Sequence, residues 1–139
     1  MTESAVLPNP APAIDPETKP YWDATLEGKL IIRHCNACGE NHWYPRTLCP
    51  FCGSVDTEWL ETAGKGTIYT FAITRKGLGH YGGVGPYVLA FVTLDEGPTM
   101  LTNIIECDVD ALRIGDRVEV VFHKTEAEAA LPRFRPVAQ

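Results

Sequence analysis

Two C-x-x-C turns, Cys35 to Cys38 and Cys49 to Cys52, stand ten residues apart and constrain this chain more than any other feature. In such a turn two thiolates converge on one ion while backbone N–H groups point at the sulfurs. Two turns face to face complete a tetrahedron at ~2.3 Å Zn–S. Gly39 and Gly53 each follow the second cysteine of a pair, where the turn needs a positive φ. Pro50 suits a rigid turn. The ten-residue gap is short for a separate helical finger. It suits a β-hairpin zinc ribbon with Trp43, Tyr44 and Pro45 on the hairpin. Four thiolates leave no open coordination position, so the expected metal is structural. Zinc is the expected ion, although iron binds the same four thiolates and stays open on spacing alone. A thioredoxin-like redox role needs a βαβ context, which the flanking sequence lacks. His34 and His42 flank the turns and are expected to be exposed or hydrogen-bonded rather than ligands.

The fifth cysteine, Cys107, stands alone. An odd count argues against a disulfide framework. With no histidine near it in sequence, Cys107 is expected as a small buried hydrophobe rather than a nucleophile. The opening MTESAVLPNPAPAIDPETKP has no basic n-region and no continuous apolar core, which points to a cytoplasmic protein. No apolar run approaches the ~20 residues of a membrane span. The net charge is −6, and the acid is spread over the whole chain. Phosphate contacts supply most nucleic-acid affinity, so an acidic balance speaks against a nucleic-acid partner.

Residues 1–20 hold five prolines and almost no large apolar residues. Proline fixes φ and removes a donor. This stretch reads as an extended arm, either disordered or ordered on a partner surface. Residues 21–58 read as a short helix plus the ribbon. Tyr21, Trp22, Thr25 and Leu26 recur near helical spacing and Gly28 stops the helix. Residues 59–139 read as an OB-fold. Gly66–Arg75 alternates, with Ile68, Thr70, Ala72 and Thr74 on one face and Thr67, Tyr69, Phe71 and Ile73 on the other. Strands follow at 86–94, 99–105 and 117–122. A fifth at 133–138 is expected at the edge because Pro136 cannot donate to a ladder. Asp108 or Asp110 can cap a helical turn, and residues 114–116 form a tight turn. The fold class is therefore mainly β: a short helix, a four-cysteine zinc ribbon and a five-stranded OB barrel. Tyr69, Phe71, Tyr87 and Phe91 carry no basic groove between them and read as core or rim rather than as base-stacking residues. His123 reads as a barrel-rim residue.

Between the first two barrel strands lies KGLGHYGGVGP, with five glycines. It matches neither a P-loop nor a dinucleotide fingerprint. Either it is a mobile loop or it lets a ligand approach closely. In the second case Arg75, Lys76, His80 and Tyr81 are its polar equipment, and Gly79, Gly82 and Gly83 remove side-chain obstruction.

Taken in order, YWDATLEGKLIIRHC, the C-x-x-C pairs, GKGTIYTFAITRK, PYVLAFVTLDEGPTMLTNI, ALRIGDRVEVVF and LPRFRP resemble one family over about residues 21–136. It comprises OB-fold proteins with a rubredoxin-like zinc ribbon that accompany acyl-CoA enzymes. All four ribbon cysteines are kept; the loop is richer in glycine than the pattern. The resemblance implies a non-catalytic accessory subunit with structural zinc. Its partner would be a thiolase or a thiolase-like aldolase in a hetero-oligomer, with a CoA thioester as ligand of the complex and a place in lipid or aromatic degradation. Arg75, Lys76, Gly79, His80, Tyr81, Gly82 and Gly83 would then lie at the partner's substrate entrance. A hotdog-fold enoyl-CoA hydratase is the alternative partner, and an OB-fold nucleic-acid binder the remoter one. No nucleophile with its base appears in the sequence, so no activity of the chain alone is expected.

Overall fold

The computed structural model describes residues 2–137. Helix α1 (Lys19–Leu26) leads into an antiparallel sheet of β1 (Ile31–Cys35), β2 (Asn41–His42) and β3 (Thr57–Glu61), ordered β2-β1-β3. Five further strands close a barrel: β4 (Lys65–Thr74), β5 (Tyr87–Leu94), β6 (Thr99–Ile104), β7 (Arg117–Lys124) and β8 (Ala130–Pro136). Their order is β4-β5-β6-β8-β7, with β7 returning to β4. The β6–β8 contact is parallel and the other pairings are antiparallel, which is the path of an OB-fold. No helix among the described residues is long and apolar enough to cross a membrane.

Helix α1 carries Pro20 in its first turn, where a missing N–H costs nothing. It ends in a Schellman motif at Gly28, whose φ is 74°. The Lys29 N–H donates to Ala24 and the Gly28 N–H to Thr25. Tyr21, Trp22, Ala24 and Thr25 are buried, whereas Leu26 at the helix end is exposed. The Thr25 hydroxyl accepts the Ala130 N–H at 3.0 Å, which fastens the helix to β8.

The barrel core comes from one face of each strand. Val88, Ala90, Val92 and Leu94 of β5 point inward beside Met100 and Ile104 of β6, Val118 of β7 and Phe134 of β8. The strict alternation expected for β4 does not hold. Ile68 pairs with Val92, but Thr70 pairs with Phe91, so Tyr69 is an extra residue at a β-bulge. The bulge exchanges the faces. Ile68 stays in the core with Phe71 and Ile73, while Thr70 and Ala72 turn to solvent. Tyr69 and Phe91, expected as core or rim, lie on the outer face and are 65% and 43% exposed.

The last strand also differs from expectation. It begins at Ala130 and is no edge: β7 flanks one side and β6 the other. The Val137 N–H donates to the Arg117 carbonyl, so the neighbouring Pro136 sits at a pair that exchanges no hydrogen bond with β7. Its missing N–H is tolerated there. Ala138, the end of the expected strand, lies outside the described residues.

The N-terminal arm takes a course that neither expectation included. It is ordered on the barrel of its own chain. Ser4 N–H donates to the Cys107 carbonyl, Ala5 N–H to Pro86 and Val109 N–H to Thr2. Leu7 is buried. Asp108 caps the turn at Val109–Ala111 by accepting the Asp110 N–H. Arg113 N–H donates to Asp116, closing the turn at Gly115.

Candidate metal centre and its surroundings

The two cysteine turns are built alike. Gly39 N–H donates to the Cys35 carbonyl at 2.8 Å, and Gly53 N–H to the Cys49 carbonyl at 2.9 Å. Both glycines have φ near 80°, at 80° and 77°. The Phe51 N–H points at the Cys49 sulfur at 3.4 Å. β1 places Cys35, and the turn before β3 places Cys49 and Cys52. The four sulfurs lie within 4.8 Å of one another, with Cys35–Cys52 at 3.6 Å and Cys38–Cys49 at 3.7 Å. Tetrahedral thiolates at ~2.3 Å from an ion sit about 3.8 Å apart, so the donor set fits zinc. The separations are far too long for disulfides.

Crowded thiols cannot all ionise without a cation. Desolvation raises Cys49, but N–H groups of Cys52 and Phe51 and the neighbouring thiols outweigh it and bring Cys49 down to about 7. For Cys38 the Glu40 N–H favours the thiolate, yet burial and the other three sulfurs push it up to about 12. A bound dication resolves this conflict by stabilising every thiolate at once.

Neither flanking histidine joins the cluster. His34 Nδ1 contacts Asn41 Oδ1 at 2.6 Å, and His42 Nε2 contacts the Arg46 carbonyl at 3.1 Å. Asn41 also donates to the Glu96 carbonyl at 2.9 Å, which ties the ribbon to a barrel turn. Trp43 and Tyr44 leave the hairpin and meet α1. Trp43 Nε1 donates to Tyr21 at 3.2 Å, and Trp22 Nε1 donates to Tyr44 at 3.0 Å. Tyr21 is fully buried between edge-on Trp22 and Tyr44 rings. Burial holds its hydroxyl neutral.

The glycine-rich stretch does not gather all its expected polar residues. Arg75 forms an ion pair with Asp110 at 2.8 Å. Lys76 and His80 are exposed. Gly79–Tyr81 form one 3-10 turn, and Tyr81 folds back to a ring separation of 5.3 Å from Tyr87. Gly82 and Gly83 are exposed. Cys107 is buried far from the sulfur cluster in sequence, and burial raises its thiol pKa.

Burial also lowers the pKa of His42, and of His123, where the Arg133 cation adds to the effect. A histidine held neutral by the fold contributes stability in full above its ordinary pKa of 6.5. That stability is lost as pH falls below this value, because the unfolded chain takes up the proton first. Tm should therefore drop as pH is lowered from about 6.5 to about 5 with zinc retained, and His123→Asn should flatten the drop. A Tm equal across that window would contradict the assignment.

A family model for the ChsH2 rubredoxin-like zinc ribbon domain matches residues 22–58, and one for the ChsH2 C-terminal OB-fold domain matches residues 59–123. A DUF35 domain-containing scaffold protein of Methanothermobacter thermautotrophicus is 36% identical over 95 residues, 68% of this chain and 71% of that protein. Its counterpart in Pyrococcus furiosus is 35% identical over 106 residues, 75% of this chain and 76% of that protein. The chain belongs to the DUF35 scaffold family. This DUF35 chain is also 34% identical over 127 residues to a probable enoyl-CoA hydratase alpha subunit of Thermomonospora curvata. That match covers 91% of the DUF35 chain but only 40% of the relative's length. A chain of the solved Ltp2-ChsH2(DUF35) aldolase superposes with a TM-score of 0.78 at 33% identity, covering 91% of this chain and 98% of that one. A DUF35 protein of unknown function from Sulfolobus solfataricus has a TM-score of 0.64 at 13% identity over 88% and 86% of the two chains, a likeness of fold alone.

Proposed function

We propose that this chain is a non-catalytic, zinc-binding scaffold subunit of an acyl-CoA-processing complex whose catalytic partner is a thiolase or a thiolase-like aldolase. The observation that carries the reading is the likeness over 91% of the chain, at 33% identity, to a chain of the Ltp2-ChsH2(DUF35) aldolase. In this reading Cys35, Cys38, Cys49 and Cys52 hold one zinc, which ties two turns together and offers no open position for substrate. The outer barrel face serves the partner: Leu89, Phe91 and Leu101 are 40%, 43% and 50% exposed on adjacent strands, beside Tyr69. Clustered exposed apolar side chains of this kind mark protein contacts. A hotdog-fold enoyl-CoA hydratase is a second possible partner, favoured by the 34% identity to the hydratase alpha subunit. Co-expression with each enzyme type separates the two, since only the true partner co-purifies with the chain in fixed ratio.

The glycine-rich loop belongs to this reading as the part facing the partner's substrate entrance. Among the described residues Lys76 is exposed and in no ion pair, whereas Arg75 is engaged by Asp110. A lysine beside a CoA phosphate gains a charge-assisted hydrogen bond. Deleting residues 79–83 should leave zinc content and assembly intact while raising the complex's KM for acyl-CoA or CoA several-fold. Unchanged kinetics in the assembled complex would remove the loop from the substrate path.

A further inference from the structure

Arg133 on β8 is 2% exposed and pairs with no carboxylate among the described residues. A guanidinium stays charged at any working pH. Three other arginines of the barrel domain are matched: Arg75 with Asp110, Arg117 with Asp95, and Arg135 with Glu119. Arg133 instead meets neutral groups. His123 Nδ1 accepts from Nη1 at 2.9 Å, which requires the neutral imidazole. Two oxygens of the N-terminal arm also accept: Asn9 Oδ1 from Nη1 at 2.6 Å and the Pro8 carbonyl from Nη2 at 2.7 Å, and the Tyr81 hydroxyl lies close by.

Those two oxygens stand where a carboxylate would put its own. Bidentate recognition of a carboxylate uses two parallel N–H···O bonds to one guanidinium. Here the arm supplies both oxygens without the charge. The buried cation is solvated but not neutralised, which is the less favourable arrangement.

The surroundings have the form of a ligand site. A cleft of about 400 Å³ opens beside Arg133, walled by Tyr21, Trp43, Tyr81 and Leu131 and covered by Pro10 and Pro12 of the arm. A second cleft of about 550 Å³ lies along the arm, lined by Asn9, Phe122 and His123 together with the charged Glu3, Glu106 and Lys124. Small-molecule sites are typically apolar clefts of this size with a few placed polar groups. Besides Arg133, the arm is held by backbone hydrogen bonds, by the Thr2 N–H on Asp108 and the Ser4 hydroxyl under the Cys107 N–H, and by one large buried side chain, Leu7, so it is the displaceable wall.

We propose that Arg133 is the anchor of a carboxylate-binding site that the arm occupies in the free chain, with Pro8 and Asn9 standing in for the ligand's oxygens. A single guanidinium between aromatic and aliphatic walls selects a small monocarboxylate with an apolar body. The more highly charged phosphates of a nucleotide would leave negative charge unpaired there. This site is separate from the sulfur cluster and does not depend on the identity of the partner enzyme.

The test uses the full zinc-loaded chain and octanoate as probe, followed by the fluorescence of Trp22 and Trp43 in the cleft wall. Asn9→Ala removes one stand-in oxygen and should tighten octanoate at least tenfold. Asn9→Asp places a carboxylate on Arg133 permanently. It should raise Tm and weaken octanoate at least tenfold. Arg133→Gln should abolish binding; if it misfolds, Arg133→Lys keeps the charge, loses the fork and should still weaken octanoate tenfold or more. Three results would overturn the proposal: no saturable octanoate binding to the Asn9→Ala chain, an Asn9→Asp chain that is less stable or binds octanoate unchanged, and inorganic phosphate binding more tightly than octanoate.

Discussion

Replacing Cys49 with serine should empty the metal centre and unfold the ribbon. Cys49 is 2% exposed and its sulfur sits 3.7 Å from that of Cys38. Serine keeps the shape but not the thiolate that zinc requires. The ribbon has little else to hold it, since β1 and β3 are five residues each and β2 only two. Metal binding in such modules is folding free energy, on the order of 10–16 kcal/mol at neutral pH. The barrel strands supply most of the buried cluster, from Ile68 to Phe134, and should keep their strand signal. Metal analysis should find about one zinc per wild-type chain and close to none in the variant. A full equivalent of zinc retained by the serine variant would mean that the four sulfurs do not form the site.

Tyr21→Ala should be the most damaging change at the junction between ribbon and barrel. Tyr21 is fully buried and packs edge-on against Trp22 and Tyr44. Truncating a buried aromatic to alanine costs ~3–5 kcal/mol, because transfer energy is lost and a cavity remains. Here the cost has a polar part as well, since Trp43 Nε1 donates to the Tyr21 hydroxyl at 3.2 Å. Tyr21→Phe isolates that part and should cost ~1–3 kcal/mol by leaving the indole N–H without its partner. Denaturant unfolding of both variants separates packing from hydrogen bonding. Equal losses in the two would show that the ring itself contributes little to the junction.

The legible parts of this molecule follow from local chemistry. Cysteine spacing and the glycines after each pair require turns that face one ion. The alternation along β5 and β6 requires a strand with one wet face. Helix α1 stops at Gly28 because glycine alone reaches that left-handed φ without strain. Other features depend on partners distant in sequence. The bulge at Tyr69 is set by the register of β5 and leaves no mark in β4 itself. β8 extends through Pro132 and Pro136 because both sit at pairs with Phe122 and Val118 that ask no N–H of proline. The arm carries few large apolar residues, so its sequence leaves open whether it is disordered or packs on a surface; backbone groups and Arg133, more than 120 residues away, hold it on its own barrel. Arg133 was silent in the sequence. Only the tertiary structure shows it buried and, among the described residues, in no ion pair.

In the proposed function the chain works through another protein, a reading supported by the apolar outer face, the four-sulfur site and the family relationship. Turnover measured with and without a partner tests this most directly. The zinc-loaded chain alone, a co-expressed thiolase-like enzyme alone, and the purified assembly of the two are each given a β-ketoacyl-CoA with free CoA, and a β-hydroxyacyl-CoA for the aldol cleavage. The account predicts no turnover by the chain, turnover by the assembly, and a lower activity or solubility of the enzyme without the chain. Turnover of either thioester by the chain on its own would contradict it.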